Sequence, residues 1–224
     1  MDWAALLTIV LPTFVTFFVV IDPIGLVPFY MTLTEGQSKK AKAKIARRSV
    51  VIATVILTIF ALVGKNFLEL LGISLSAFRI AGGMLLFLIA VEMLFEKRTE
   101  RREKNVASET DDDDEATEDE EEDESRDVAV FPLAVPFLAG PGSMATIILL
   151  MSKYEGQWET QLAIYGVMLT CLLTCFIMFK LSGKLDKIIT PKVTKVATRL
   201  LGVLLAALSI EFILSGLRQS VLFT

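Results

Sequence analysis

The sequence contains no histidine and only two cysteines among its 224 residues. Histidine and clustered cysteines are the usual ligands of structural zinc and haem, so no metal site and no cofactor is predicted. Cys171 and Cys175 lie four residues apart on one predicted helix, where a disulfide has poor geometry, and we expect buried free thiols. A glycine-rich Walker loop is also missing, which excludes ATP hydrolysis by that route. No enzymatic activity is expected.

Long apolar runs dominate what the sequence does contain. Apolar residues make up 54% of the chain, which is more than one soluble core of this size can bury, so lipid should surround most of it. A bilayer core of about 30 Å is crossed by roughly 20 helical residues. Runs near that length occupy 6–31, 50–68, 73–95, 128–151, 162–179 and 200–217. They lack the alternation of barrel strands, and they predict an all-α polytopic membrane protein with six transmembrane helices.

Basic residues are concentrated in three of the connections, those after the first, third and fifth apolar runs. Lysine and arginine resist translocation, so these connections should be cytoplasmic and both termini should lie outside. This predicts a multi-pass protein of the inner, cytoplasmic membrane. The third connection also carries a dense acidic block from Glu109 to Asp127. Its self-repulsion and lack of apolar residues predict a disordered cytoplasmic loop over 97–127.

The two halves of the sequence show an internal repeat. The third and sixth apolar runs each have an arginine, a glycine three residues later and a glutamate near the end. The matching residues are Arg79 and Arg199, Gly82 and Gly202, and Glu92 and Glu211. Because each half has an odd number of membrane helices, the second half crosses the membrane in the opposite orientation to the first. This is the inverted-repeat plan of many secondary transporters. We predict a first three-helix repeat over 1–96 and a second, inverted repeat over 128–224.

The first and fourth runs should both be broken helices, because each contains prolines and glycines in mid-run. Non-helical backbone within the membrane is tolerated where it is buried in protein or lines a cavity. The two matched breaks therefore predict one shared cavity near the midplane of the membrane. A half-helix begins after each break, and its amides attract an anionic group. Asp22 and the unwound carbonyl groups would bind a proton, a cation or an ammonium group. A zwitterion, which carries both a carboxylate and an ammonium group, would therefore fit the two kinds of group together. The predicted substrate-binding residues are Asp22, Pro23, Gly25, Pro28, Gly140, Pro141, Gly142, Ser143 and Thr146.

Several charged residues have two interpretations. Asp22 either caps the following half-helix, with Pro23 in the first helical position, or takes part in binding and coupling. Glu92 and Glu211 are further coupling candidates, because intramembrane carboxylates are costly, although Glu92 lies near the basic edge and could simply snorkel to the interface. Arg79 and Arg199 are predicted to anchor their helices at the membrane interface.

The broken segments resemble a known family. The stretch at 17–29, FFVVIDPIGLVPF, the stretch at 131–143, FPLAVPFLAGPGS, and the closing TRLLG and IEFI motifs are similar to those of MarC family integral membrane proteins. The resemblance covers nearly the whole chain except the acidic block. It implies six spans and, from characterised members, gradient-driven uptake of small neutral amino acids such as glycine and alanine. The positions carried over are Asp22, Pro23, Gly25, Pro28, Pro136, Gly140, Pro141, Gly142 and Ser143.

The sequence therefore predicts a secondary transporter that works by alternating access, coupled to a gradient of H+ or Na+. Its expected partners are a small zwitterionic substrate and the lipid bilayer, without nucleic acid, and the formation of a homo-oligomer is left open. Two other functions remain: a transporter or channel for another small solute, and a membrane scaffold that transports nothing.

Overall fold

The computed structural model describes residues 3–95, 128–185 and 191–220, and all its regular elements in these ranges are helical. The predicted disordered loop at 97–127 lies outside the described residues. A double-proline segment, Ala129–Leu138, opens the second half. The helices are α1 (Trp3–Ile21), α2 (Pro23–Leu33), α3 (Lys39–Leu70), α4 (Leu75–Leu94), α5 (Pro141–Lys153), α6 (Trp158–Lys180), α7 (Ser182–Leu185) and α8 (Pro191–Gln219).

The described helices are long and apolar enough to account for five membrane spans, with α1 and α2 counted together. The count reaches six when the double-proline segment and α5, which bend by 51° at their junction, form one span. The predicted all-α membrane architecture is confirmed. The prediction of six spans corresponds to the upper count.

Helix α3 shows how lipid-facing and core-facing surfaces divide. One face is small and buried, with Ala53, Leu57 and Ala61 packed into the core. The opposite face carries large apolar side chains that are each more than half exposed, namely Val51, Val55, Ile59 and Leu62. Their helical spacing makes a continuous apolar stripe, which suits contact with lipid tails. The helix starts eleven residues earlier than the apolar run, because Ser38 caps it by accepting a hydrogen bond from the Ala41 amide at 3.2 Å.

The first predicted break lies at Asp22, between α1 and α2. Asp22 has φ 57° and ψ 63°, a left-handed conformation that ends α1. Pro23 then occupies the first turn of α2, where its missing amide hydrogen has no cost. The Asp22 carboxylate accepts a hydrogen bond from the Gly25 amide at 3.1 Å and so caps α2. The predicted break of the first helix is confirmed.

The second break is longer and more irregular. Within the double-proline segment, Phe131 and Val135 have extended backbone angles, and each precedes a proline. Gly140 is also extended, with φ −79° and ψ 172°, and α5 begins immediately after it with Pro141 in its first turn. The predicted break of the fourth helix is therefore confirmed.

Helices α4 and α8 pack along each other, and their close approach depends on glycines. A Cβ added at Gly83 would lie 2.8 Å from the Ser209 carbonyl oxygen, and one at Gly216 would lie 2.9 Å from the Ser76 carbonyl oxygen. Arg79 is 4% exposed and donates hydrogen bonds across this interface to Ser215, at 3.4 Å, and to the Gln219 side chain. Helix α8 thus supplies the polar partners that allow Arg79 to be buried between helices, and its position at the membrane interface stays a prediction.

The close packing of α4 on α8 predicts a clear loss of stability for Gly83→Ala. The new methyl group would meet backbone atoms of α8, which cannot move aside as a side-chain end can, so the free energy of unfolding should fall by about 1–3 kcal/mol. Thermal unfolding in detergent measures the effect. Gly166→Ala is the matched control, because its added Cβ meets nothing within 4 Å. Equal melting temperatures for the two variants would contradict the proposed packing role.

Candidate functional site

The tertiary structure brings the two broken segments together. A Cβ added at Gly142, just after the second break, would lie 3.1 Å from Val20, two residues before the first break. Seven residues beyond Asp22, or about two helical turns along α2, the Phe29 ring lies 6.3 Å from the Phe137 ring, measured between centroids. The two broken segments are therefore close in space, although more than one hundred residues separate them in sequence, and the predicted cavity between them stays a prediction.

Asp22 is fully buried at this junction. Helix α2, which Asp22 caps, packs against α6, and Cys175 of α6 lies in the same buried core cluster as Ile21 and Leu26 on either side of Asp22. Cys175 is itself fully buried, and both cysteines are free thiols, as predicted. A buried carboxylate is costly, whereas serine, threonine or asparagine would cap a helix without a charge. Capping α2 therefore does not require the negative charge of Asp22.

The start of α5 differs from the start of α2 because no side chain caps it. Gly140 occupies the capping position and has no side chain that could accept a hydrogen bond. The amides of Gly142 and Ser143 lie in the first turn of α5, where backbone N–H groups have no acceptor within the helix. The helix dipole adds partial positive charge at the same place. This arrangement can accept a carboxylate or another small anion.

Thr146 is fully buried on α5, one turn after this uncapped start. Its hydroxyl has no hydrogen-bond partner among the described residues. Threonine in a helix commonly donates to the carbonyl four residues earlier, which would be that of Gly142 here, so the missing bond is unusual. An unsatisfied buried hydroxyl costs about 1–3 kcal/mol, and a bound polar ligand would remove that cost. Ser143 is also buried, at 1% exposure.

The remaining predicted residues divide into three groups. Pro23, Gly25 and Gly140 are buried at the breaks, whereas Pro141 is exposed. Pro28 lies apart from the breaks and lines a cleft at the far end of α2. The structure does not place the coupling candidates Glu92 and Glu211 among the buried residues of the junction, since Glu92 is half-buried near the end of α4 and Glu211 is exposed on α8.

The cleft that includes Pro28 was not predicted. Its volume is about 1160 Å³, and it lies between the end of α2, the start of α3 and the end of α6. Lys39, Lys42 and Lys180 give it a basic lining. These lysines come from two connections that the sequence predicts to be cytoplasmic, and the structure places them at one end of the molecule. The aromatic residues at its inner end, Tyr30 and Phe179, carry no sequence signal, because aromatic side chains are common near membrane interfaces.

Comparison with known proteins now extends the family resemblance. The family model described as MarC family integral membrane protein matches residues 7–221, nearly the whole chain. The chain belongs to the MarC family. The match spans both broken segments and every membrane helix of the described structure, so this MarC protein is an integral, multi-pass membrane protein.

Similar MarC chains occur in both archaea and bacteria. The UPF0056 membrane protein MJ1677 of Methanocaldococcus jannaschii is 34% identical over 93% of this chain and 96% of its own length. YvbG of Bacillus subtilis is 32% identical over 92% of both chains, and YhcE of Escherichia coli is 30% identical over 92% of this chain and 90% of its own. No solved structure matches the chain. The relatives' names state membrane location and no solute.

Proposed function

We propose that this MarC protein is a secondary transporter of small neutral amino acids, of the size of glycine and alanine, driven by a gradient of H+ or Na+. The observation that carries the proposal is the contrast between the two half-helices. Asp22 caps the start of α2, whereas no side chain caps the start of α5. A substrate carboxylate can accept hydrogen bonds from the first-turn amides of α5 in place of a capping side chain, and the buried Thr146 hydroxyl can donate to it.

Asp22 supplies the opposite charge in this proposal. Its carboxylate lies on the segment that packs against the start of α5, as the proximity of Val20 to Gly142 indicates. A carboxylate there can bind the substrate ammonium group, a coupling Na+ or a transported proton. The buried position favours a small zwitterion, because each end of such a molecule has a partner of opposite charge and neither is left unpaired.

The contacts between helices support an inverted repeat. Helix α3 packs against the double-proline segment, and α6, the corresponding helix of the second half, packs against α1. Likewise α4 contacts α5 and α8 contacts α2. Each broken span therefore contacts the second and third helices of the other half. In such an arrangement a rocking motion of one half against the other gives each side of the membrane access in turn.

The orientation is part of the same proposal. The end of α2 and the end of α6 meet at the basic cleft, and lysines favour the cytoplasmic side. We therefore place the cleft in the cytoplasm and both termini outside, with the chain in the cytoplasmic membrane.

Uptake of labelled glycine and alanine into liposomes that contain the purified protein tests the function. A transporter should give saturable accumulation that requires an imposed proton or sodium gradient. A channel would equilibrate the solute without accumulating it, and a scaffold would give no flux. Either of those results would overturn the proposal.

Thr146→Val is expected to weaken uptake without weakening the fold. The substitution keeps the shape of the side chain and removes a hydroxyl that has no internal partner, so the melting temperature should stay constant or rise. The apparent KM should rise roughly tenfold, as for one lost hydrogen bond to a charged group. Thr170→Val is the matched control, since this exposed hydroxyl only donates to Gly166 of its own helix, at 2.8 Å. Full uptake by Thr146→Val would exclude the hydroxyl from the binding site.

A further inference from the structure

The inner end of the basic cleft is closed by two aromatic rings. Tyr30 of α2 and Phe179 of α6 both line the cleft, and their rings stack with centroids 4.5 Å apart at an angle of 11°. Each residue is only 1% exposed, so most of each ring is packed into the core behind the cleft. The Tyr30 hydroxyl donates a hydrogen bond of 2.8 Å to the Lys42 carbonyl of α3. The stack is therefore attached to three helices.

The stack lies between the cleft and the buried junction of the two breaks. Along α2, Tyr30 is eight residues beyond Asp22, or about 12 Å toward the cleft. Along α6, Phe179 is one turn, about 6 Å, beyond Cys175, which lies in the same buried core cluster as Ile21 and Leu26 beside Asp22. Both helices run toward the cleft in this direction. Tyr30 therefore comes after Asp22 along α2, and Phe179 comes after Cys175 along α6, in the direction of the cleft.

We propose that the cleft is the vestibule through which the solute enters or leaves the site, and that the Tyr30–Phe179 stack is the gate between them. This inference rests on the proposed transport function. Because α2 and α6 belong to different halves of the chain, a rocking motion of the halves would separate the rings. Among the described residues that line it, the vestibule carries Lys39, Lys42 and Lys180 against Glu35, and this lining attracts the carboxylate end of a zwitterion.

The buried thiol of Cys175 provides a direct probe of this gate. With Cys171 replaced by serine, Cys175 is the single reactive thiol, and it lies behind the stack as seen from the cleft. The rate at which a small water-soluble maleimide modifies Cys175 in nanodiscs then reports how often water reaches the junction. The measurement needs no substrate, so it does not depend on the identity of the solute.

Tyr30→Ala and Phe179→Ala are each expected to accelerate Cys175 modification roughly tenfold, the factor that corresponds to the loss of one buried aromatic pair. Tyr30→Phe keeps the ring and loses the bond to Lys42, so its acceleration should be smaller. Leu181→Ala is the matched control, because Leu181 lines the cleft without belonging to the stack, and it should react at the original rate. Phe179→Leu is a milder alternative if an alanine variant unfolds.

Two results would overturn the gate. One is an unchanged Cys175 rate in both alanine variants. The other is an equal acceleration of Cys171, measured with Cys175 replaced by serine, because Cys171 lies one turn farther from the cleft and would respond equally only to general loosening. The proposed function is judged separately by uptake. If the protein takes up glycine or alanine but the alanine variants do not label faster, the transport function stands and the gate is wrong. If the variants label faster but the protein takes up neither amino acid, the gate stands and the proposed substrates are wrong.

Discussion

Asp22→Asn should reduce gradient-driven uptake roughly tenfold or more, the effect of losing one interaction with a charged partner. The expectation follows from the two roles of this residue. Asparagine can still accept the hydrogen bond from the Gly25 amide, and it tolerates the left-handed backbone at φ 57°, so the break and the cap of α2 should persist. Only the negative charge is lost. Initial uptake rates at several substrate concentrations, with and without the gradient, measure the change.

Asp22→Ala provides the comparison for the structural role. Alanine removes both the charge and the cap, and it disfavours the left-handed conformation, so stability should fall by about 0.5–2 kcal/mol from the cap alone. A transport role predicts that both variants lose uptake and that only the alanine variant melts earlier. If Asp22→Asn transports normally and Asp22→Ala does not, capping is the whole function of Asp22 and the charge is not used.

Gly140→Ala should abolish uptake as well, through the shape of the second break. A Cβ at Gly140 would collide with the carbonyl oxygen of Pro136, which is a backbone atom. The double-proline segment or the start of α5 would have to shift, and the first turn of α5, where we place the substrate carboxylate, would be displaced. We expect the free energy of unfolding to fall by about 1–3 kcal/mol together with the loss of transport.

Gly166→Ala is the control for this experiment too. It adds the same methyl group on α6 in open space, where alanine is the better helix former, so uptake should be unchanged and stability unchanged or raised. Normal uptake by Gly140→Ala would show that the start of α5 tolerates displacement. The proposed carboxylate site at that helix end would then be wrong.

The sequence predicted the helices and their breaks well, because both depend on local properties. The length of each apolar run is set by bilayer thickness, and prolines with neighbouring glycines weaken a helix locally, although α1 and α2 continue through the single prolines Pro12 and Pro28. The start of α3 was missed by eleven residues, because the lysines and arginines after Ser38 end an apolar run although they continue a helix.

The candidate site was predicted in part. The residues at the breaks were identified correctly as neighbours in space, since the repeat in the sequence indicated that both breaks lie at similar membrane depth. Pro28 was assigned to the site but lines the separate cleft, because α2 continues for eleven residues, or about three turns, beyond the break. The acidic loop and the order of the two halves around it stay predictions.

The membrane class, the apolar helices and the positions of the breaks could be predicted from the order of the residues. Which groups face each other depends on how the helices pack. The packing pairs Tyr30 with Phe179, supplies Arg79 with Ser215 and Gln219, and leaves the Thr146 hydroxyl without a partner among the described residues. These pairings join residues more than one hundred positions apart, so no local propensity encodes them. They follow from the packing of whole helices, in which small residues set the distance of approach and every buried polar group must find its partner on another helix or in a ligand.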